Sequence, residues 1–240
     1  MHQDKELRCD LHIHSCLSPC ADLLMTPGNV IRQAINLGLD CIAITDHNSA
    51  GNIQVALELA AAKGIRLIPA MEVETREEVH LLCYFPSLDG LLTWDAIVYE
   101  NLPKRKNQEE LFGYQLLTDL QDEYVAKEDR LLALATKLSL SETLETVTSL
   151  GGVVIPAHVD RPVNSILRQL GIIPPDAGIR VLEISRNTAP VDFLRSHSEL
   201  ERYRFVQGSD SHFLHDIGRC GGTRGFRVNE ELRSELSILF

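Results

Sequence analysis

The chain has 240 residues, of which 44% are hydrophobic and 24% are charged, a composition ordinary for a globular domain. Its 34 acidic residues against 23 basic ones give a formal net charge of −11, so it lacks the basic excess that nonspecific nucleic-acid binding uses. We therefore expect nucleic acid not to be a partner, although divalent metals bound at an acidic site would reverse the local potential.

The start of the chain and its cysteines bear on the cellular compartment. No apolar run approaches the ~18 residues of a membrane helix, and no signal-peptide core follows the polar first residues. The six cysteines show no paired framework of the kind found in secreted domains, and we expect reduced thiols. These patterns predict a cytoplasmic protein with no membrane partner.

Short apolar runs alternate with helix-like segments along most of the chain. Helices are predicted at 27–38, opened by Thr26-Pro27, and at 50–63, ended by Gly64. Strands are predicted at 7–13, 41–45, 65–70, 79–85, 153–157, 179–184, 204–207 and near 225–228. Apolar strands separated by helices favour a parallel sheet with both faces covered, and about seven such units favour a closed barrel. The sequence thus predicts one α/β domain over residues 1–240.

The segment 86–150 interrupts this alternation. It contains Trp94, the basic turn 104–106 and several charged, leucine-rich stretches, and we predict a mostly helical insertion between two strands. Two interpretations stay open for it. It folds over the site as a lid, as long loops at a catalytic face often do, or it forms an outer layer with no catalytic part.

Histidines and carboxylates are concentrated directly after the apolar runs. Six of the nine histidines lie in five short clusters: Asp10 with His12 and His14, Asp46-His47, Glu72 with His80, His158, and Asp210 with His212. Neutral imidazole and carboxylate are ligands that zinc, manganese and iron accept. Because the clusters follow strands, one pocket can gather them, and the pattern indicates a metallohydrolase.

In this order the clusters resemble the five motifs of the PHP (polymerase and histidinol phosphatase) family. The motifs correspond to His12-x-His14, Asp46-His47, Glu72 with His80, His158, and Asp210-x-His212. The resemblance covers about residues 9–218 outside the insertion. It implies a distorted (β/α)7 TIM-like barrel with two or three divalent metals, commonly zinc, manganese or iron.

The resemblance also implies how the ligands are shared. The groups are His12, His14, Glu72 and Asp210 for one metal, a bridging Glu72 with His80 and His158 for a second, and His47 with His212 for a third. Asp46 is expected to orient neighbouring groups, as carboxylates beside metal-bound imidazoles often do.

The sequence departs from the family at one further ligand of the third metal. Many members carry an aspartate or histidine five or six residues after the HxH pair, where this chain has Pro19 and Cys20. Cys20 and Asp22 are the alternatives, unless the third site is weak or empty. A Cys20 thiolate would favour zinc or iron, whereas Asp22 is a hard ligand that permits manganese. We slightly favour Asp22.

Phosphoester hydrolysis explains why these residue types are needed. Two metals ~3.5–4 Å apart hold a bridging hydroxide and clamp the attacking and leaving oxygens, with Glu72 setting their separation. A metal-bound water, Asp46 and His212 are the candidate proton donors to the leaving group. Arg161 and Arg186, with Arg76 as a third candidate, are the expected phosphate partners, because guanidinium binds phosphate bidentately.

The motifs are compatible with three functions. The leading one is hydrolysis of a small phosphorylated metabolite, either a phosphomonoester or a nucleotide. The second is a 3′–5′ exonuclease or oligonucleotide phosphodiesterase, which the acidic charge and 5% aromatic content disfavour. The third is a non-catalytic metal-binding module that regulates a partner.

Overall fold

The structure, a computed structural model, describes residues 6–220, 223–237 and 239. The strands are β1 (Leu7–Ile13), β2 (Cys41–Ile44), β3 (Arg66–Leu67), β4 (Ala70–Glu74), β5 (His80–Tyr84), β6 (Leu116–Thr118), β7 (Tyr124–Lys127), β8 (Val153–Pro156), β9 (Val181–Ile184), β10 (Arg204–Gln207), β11 (Arg219–Cys220), β12 (Thr223–Arg224) and β13 (Phe226–Val228). The helices are α1 (Pro27–Asn36), α2 (Ile53–Lys63), α3 (Leu88–Asn101), α4 (Glu109–Phe112), α5 (Leu140–Ser149), α6 (Ile166–Leu170), α7 (Pro190–Ser196) and α8 (Glu230–Glu235). Short 3-10 turns lie at Pro175–Ala177, Ser198–Leu200 and Leu214–Asp216.

The N-terminal third has the predicted parallel arrangement. Strand β1 pairs parallel with β2, and β2 with β3, while α1 and α2 supply the crossovers. The Thr26 hydroxyl accepts a hydrogen bond from the Asn29 amide at the start of α1. Gly64 ends α2 at φ 72°, a left-handed conformation that glycine adopts without strain. Strands β9 and β10 form a second parallel pair.

The prediction of a wholly parallel sheet is wrong for β4, β5 and β8, which pair antiparallel in that order. Only residues 75–79 separate β4 from β5. A parallel pair needs a crossover of about a dozen residues or more, so this short connection forces a hairpin. Strand β13 likewise pairs antiparallel with β1.

The α/β class is confirmed, whereas the closed (β/α)7 barrel stays a prediction. Within the described residues the hydrogen-bonded ladders form separate sheets of two to four strands. Isolated parallel bridges join Ile13 to Ser211 and His47 to Glu72, beyond the ends of these ladders. Among the same residues no helix combines the length and apolar character that crossing a membrane requires.

Alternate residues of the strands pack into two different cores. One core lies against the helices and includes Ile42, Ile44, Met71, Leu81, Cys83, Leu182 and Ile184. The other, which we call the strand core, includes Cys41, Ala43, Ala70, Leu82, Tyr84, Ile155 and Val181. This two-residue alternation follows from the pleat of a strand, and it means that both faces are covered.

The segment 86–150, predicted to be a mostly helical insertion, has more of its residues in helices than in strands. Besides α3, α4 and α5 it contains an antiparallel hairpin of β6 and β7, which we call the insertion hairpin. Its turn includes Asp122 at φ 63°, a left-handed conformation to which aspartate is well suited. These strands are only three and four residues long, too short for a clear alternating pattern in the sequence.

Candidate metal centre

The strand pleat carries the predicted ligands to one place. Glu72 lies two residues after Ala70, and His80 two residues before Leu82, so both share the face of the strand core. His12 lies within β1, next to its last residue, and the remaining ligands follow the ends of β1, β2, β8 and β10. The predicted ligands that meet there are His12, His14, His47, Glu72, His80, His158, Asp210 and His212.

The first group of ligand atoms belongs to His12, His14 and Asp210. The two Nε2 atoms lie 3.2 Å apart. Asp210 Oδ1 lies 3.3 Å from His12 Nε2 and 3.1 Å from His14 Nε2. These side chains are almost wholly buried, so water does not screen the interactions between their charges and lone pairs.

The Nδ1 atoms of His12 and His14 already have hydrogen-bond partners. His12 Nδ1 lies 2.9 Å from Glu183 Oε2 and donates to that carboxylate. His14 Nδ1 lies 2.9 Å from the Ser18 hydroxyl, which itself donates to Asp46 and so accepts from His14. In their neutral forms both imidazoles therefore turn an Nε2 lone pair toward Asp210, and such a group of acceptors needs a cation at its centre.

When no metal is bound, a proton on His12 supplies the positive charge that these acceptors need. Burial opposes a charge on His12, but Glu183, Asp210 and Glu72 raise its pKa well above the usual value. Burial, with His212 and His47, lowers the pKa of His14 well below it. The donor set thus fits a divalent cation, which would displace the His12 proton.

Glu72 has imidazoles around both carboxylate oxygens. Oε1 lies 3.0 Å from His80 Nδ1, 3.3 Å from His158 Nε2 and 3.5 Å from His12 Nε2. Oε2 lies 3.0 Å from His47 Nδ1 and 3.5 Å from His14 Nε2. Burial opposes ionisation, yet His80 and His12 hold the pKa of Glu72 well below its usual range. Glu72 thus also forms a candidate metal-ligating group with His47 and His80, and its two oxygens face different histidines.

The third group contains His14, His47 and His212. The ring centroids of His14 and His212 are 4.3 Å apart, and those of His14 and His47 are 4.5 Å apart. Cys20 Sγ lies 3.1 Å from His212 Nε2. Burial would raise the pKa of the Cys20 thiol, but His47 and His212 outweigh it and lower the pKa to about 6.

The preference for Asp22 over Cys20 does not agree with this geometry. Asp22 Oδ1 accepts a hydrogen bond of 2.8 Å from the Leu24 amide, and its own amide donates to the His212 carbonyl. Its carboxylate therefore caps a local turn, as aspartate commonly does. Cys20, two residues earlier, is the side chain that reaches the histidines.

The surroundings of Asp46 also differ from those that a proton donor to the leaving group needs. Its Oδ1 accepts from the Ser15 amide and the Ser18 hydroxyl, both at 2.7 Å, and its Oδ2 accepts from the Ser15 hydroxyl at 2.6 Å. The carboxylate is fully buried and fully engaged. This geometry favours the orienting role expected of Asp46, acting through Ser18 on His14, over that of a proton donor.

Comparison with known proteins agrees with this arrangement. A family model of the PHP domain matches residues 10–170, well over half of the chain. The chain belongs to the PHP family. The matched region contains the predicted ligands from His12 to His158, whereas Asp210 and His212 lie beyond it.

Relatives of this PHP chain act on different phosphoesters. It is 33% identical over 78 residues to the 5′-3′ exoribonuclease Rnm of Salmonella typhimurium, covering 30% of this chain and 26% of that one. It is 32% identical over 78 residues to a phosphoribosyl 1,2-cyclic phosphate 1,2-diphosphodiesterase of Eggerthella lenta, covering 30% and 29%. The chain therefore spans less than a third of the length of either relative.

A solved structure supports the fold. The lesion-specific endonuclease PfuEndoQ from Pyrococcus furiosus matches with a TM-score of 0.64 at 20% identity, over 90% of this chain and 51% of that one. The expectation that nucleic acid is not a partner is not supported, because a relative by sequence is an exoribonuclease. Net charge describes the whole surface, whereas a substrate meets the local field of metals and arginines.

The predicted arginines occupy different surroundings in the PHP domain. Arg161 Nη2 contacts Asp210 Oδ2 at 2.5 Å, so this guanidinium lies beside the first group of ligands. Arg186 Nη1 instead lies 3.1 Å from Asp216 Oδ2. Arg76 is largely exposed and lies near Glu77. Only Arg161 of the three contacts a predicted metal ligand.

Two predicted ligands have unusual backbone conformations. His158 has φ 31° and Asp210 has φ 47°, in the left-handed region that costs non-glycine residues free energy. Such conformations persist where surrounding contacts hold them, and they are concentrated at functional sites. Here the His158 amide donates to Glu183 Oε2 at 3.0 Å, and Arg161 pairs with Asp210.

Sequence reasoning missed two residues that hold the ligands in place. Glu183 is 2% exposed, accepts from His12 and the His158 amide, and lies inside the apolar strand β9. A carboxylate within such a run was a usable signal, because a buried charge needs partners. The Ser18 hydroxyl oxygen accepts hydrogen bonds from His14 Nδ1 and from the His47 amide. A lone serine in a loop gives no comparable signal in the sequence.

Replacing Glu183 with glutamine is expected to weaken metal binding by about 10–100-fold, the usual cost of losing an orienting partner. The neutral amide would remove the charge that holds His12 Nδ1–H, and with its oxygen at the Oε2 position its NH₂ group would oppose the same Nδ1–H. Metal titration followed by calorimetry measures the effect. Glu199→Gln, at an exposed glutamate, is the matched control. Equal affinities in the two variants would contradict the role given to Glu183.

Proposed function

We propose that this PHP chain is a metal-dependent phosphoesterase that hydrolyses a small phosphorylated metabolite, either a phosphomonoester or a nucleotide. One observation carries the proposal: both oxygens of Glu72 face imidazoles, and the five histidines around them come from four places in the chain. This is the donor set that a two-metal hydrolytic site uses.

The proposed grouping of the ligands is the one that the family resemblance implies, and His47 in addition lies with Glu72 and His80. His12, His14 and Asp210 would hold the first metal, and His80 and His158 the second, with Glu72 between them. His47 and His212 would belong to the third. Bound metals would supply Lewis acidity that ionises water at neutral pH and balances the charge of the phosphoryl oxygens. Buried hydrogen-bond partners such as Glu183 and Ser18 hold the ligand nitrogens of His12 and His14 toward the centre of the site.

Arg161 is proposed to bind the phosphoryl group of the substrate. Its guanidinium is about one-third exposed and already contacts the Asp210 carboxylate, so one edge stays open to solvent. Guanidinium carries donors on both edges, and it therefore contacts a carboxylate and a phosphate together. His212 Nδ1 donates to the Asp210 carbonyl at 3.0 Å, which leaves Nε2 as a ligand and argues against a proton-donating role.

We also propose that the strands close as a (β/α)7 barrel around the strand core. The isolated bridges support this, since one links the end of β1 to the segment after β10 and the other links the segment after β2 to β4. The Val159 amide also donates to the Glu183 carbonyl, between the end of β8 and β9. These links would complete a ring of β1, β2, β4, β5, β8, β9 and β10.

A second function is a nuclease or oligonucleotide phosphodiesterase. The exoribonuclease relative favours it, and the metal site proposed here serves phosphomonoesters and phosphodiesters by the same chemistry. What separates the two functions is the length of the substrate.

A substrate panel tests the proposal. The purified chain, loaded with Mn²⁺, Fe²⁺ or Zn²⁺, is given phosphomonoesters, dinucleotides, and single-stranded RNA and DNA. We expect monoester or nucleotide turnover, lowered at least about 100-fold by Asp210→Asn, because a lost ligand removes several kcal/mol of transition-state stabilisation. Asp192→Asn, at an exposed carboxylate, is the control.

The alternatives give different results in the same panel. Turnover of oligonucleotides but not of monoesters would favour the nuclease. If no ester is hydrolysed while the metals stay bound, the chain is a metal-binding module and the phosphoesterase proposal is wrong.

A further inference from the structure

Cys20 differs from every other cysteine in the described residues. Cys9, Cys16, Cys41, Cys83 and Cys220 are buried, whereas Cys20 is exposed at the mouth of the metal centre. Its sulfur lies 3.1 Å from His212 Nε2. Among the cysteines of the described residues, Cys20 is thus the exposed one, and its thiol lies against a predicted metal ligand.

The loop that carries Cys20 is held from both sides. The Ala21 amide donates to the Ser18 carbonyl and the Asp22 amide to the His212 carbonyl, which fixes the turn against the histidines. On the other side the loop meets the segment that leads into the insertion hairpin. A Cβ built on Gly113 would lie 2.1 Å from the Pro19 carbonyl oxygen, so the two backbones are in direct contact.

Further contacts tie the insertion hairpin to the same loop. The Leu116 amide donates to the Cys16 carbonyl at 2.9 Å, and the Tyr124 hydroxyl donates to the Leu23 carbonyl at 2.7 Å. Both contacts are with the segment 16–25 that surrounds Cys20. Cys20 therefore reaches the histidines from a loop held on several sides, which is how proteins keep metal ligands in place.

The third group of ligands is otherwise incomplete. His14 is shared with the first metal, which leaves His47 and His212 as dedicated ligands. Zinc in proteins takes four ligands in structural sites and at least three protein ligands in catalytic ones. Asp22 is turned toward the Leu24 amide and does not fill the position. Cys20 Sγ, 3.1 Å from His212 Nε2, is a further donor atom that lies beside this group.

We propose that Cys20 supplies a thiolate ligand to the third metal, beside His47 and His212, and that this position selects zinc or iron over manganese. Sulfur is a soft donor, and soft donors favour these metals over manganese. The inference rests on the proposed metal-dependent function but does not depend on the substrate.

Cobalt(II) titration tests the inference directly. The metal-free protein is titrated with Co²⁺, and a thiolate ligand produces a charge-transfer band in the near ultraviolet that oxygen and nitrogen ligands do not. We expect the band in the unaltered chain and its complete loss in Cys20→Ser. Cys83→Ala, which removes a thiol from the core facing the helices, and Asp22→Asn, which removes the rival ligand, should both retain it.

Metal preference gives a second measurement. In Cys20→Asp the band should disappear while the third equivalent of metal is retained, and the preference for Zn²⁺ over Mn²⁺ should fall. No band in the unaltered chain, or a band that persists in Cys20→Ser, would overturn the inference. Because the spectrum needs no substrate, failure of the phosphoesterase proposal in the ester panel would be seen separately.

Discussion

Replacing Glu72 with glutamine is expected to lower kcat at least about 10³-fold, the largest single effect in the molecule. Loss of a bridge between two metals forfeits several kcal/mol of transition-state stabilisation, and about 4 kcal/mol corresponds to three powers of ten. The amide has one oxygen where the carboxylate has two, so it cannot face both groups of histidines as a ligand.

The same variant should lose metal as well as activity. Elemental analysis after dialysis is expected to find at least one equivalent fewer in Glu72→Gln than in the unaltered chain. Glu58→Gln is the matched control, because Glu58 is exposed on α2 and its carboxylate accepts a hydrogen bond from Gln54. Full metal content with normal kcat in Glu72→Gln would rule out the bridging role.

Metal binding is expected to raise the thermal stability strongly. A ligand at 1,000 times its Kd adds about 4 kcal/mol to the free energy of unfolding, which for a chain of this size corresponds to roughly 8–16 °C in Tm. The reason is local: without metal, the buried carboxylates and imidazoles rely on shared protons and mutual ion pairs. Differential scanning calorimetry with and without a chelator measures the difference.

This stabilisation should decline as the pH falls. His12 has a raised pKa in the metal-free fold, so it holds a proton there, and that proton must leave when metal binds. Acidification therefore favours the protonated, metal-free form. A shift in Tm on metal addition that is equal at neutral and acidic pH would contradict the proton displacement.

Much of the fold could be predicted from the sequence because its signals are local. The capping by Thr26, the glycine at 64 and the apolar runs that become β1 and β10 each depend on neighbouring residues. Strand direction is not local in this way. It depended on the length of the connection after β4, a point that apolar composition alone does not reveal.

The residues of the site also divide into those that the sequence predicts and those that depend on the three-dimensional structure. His12, His14 and Glu72 could be predicted as a set because the order of the clusters along the chain carries the information. The choice between Cys20 and Asp22 could not, since it depends on where a turn directs two side chains. The role of Glu183 was accessible in principle, because a carboxylate inside an apolar strand needs a buried partner.

The contact between Gly113 and Pro19 makes the insertion part of the catalytic scaffold. Gly113 has φ 96° and ψ 175°, a conformation that in practice only glycine adopts, and its missing side chain lets two backbones touch. An attempt to reduce this protein to a minimal barrel by cutting out residues 86–150 would therefore release the segment 16–25 from its support. The metal centre cannot be transplanted as motifs alone, because the loop beside its histidines is supported by the insertion.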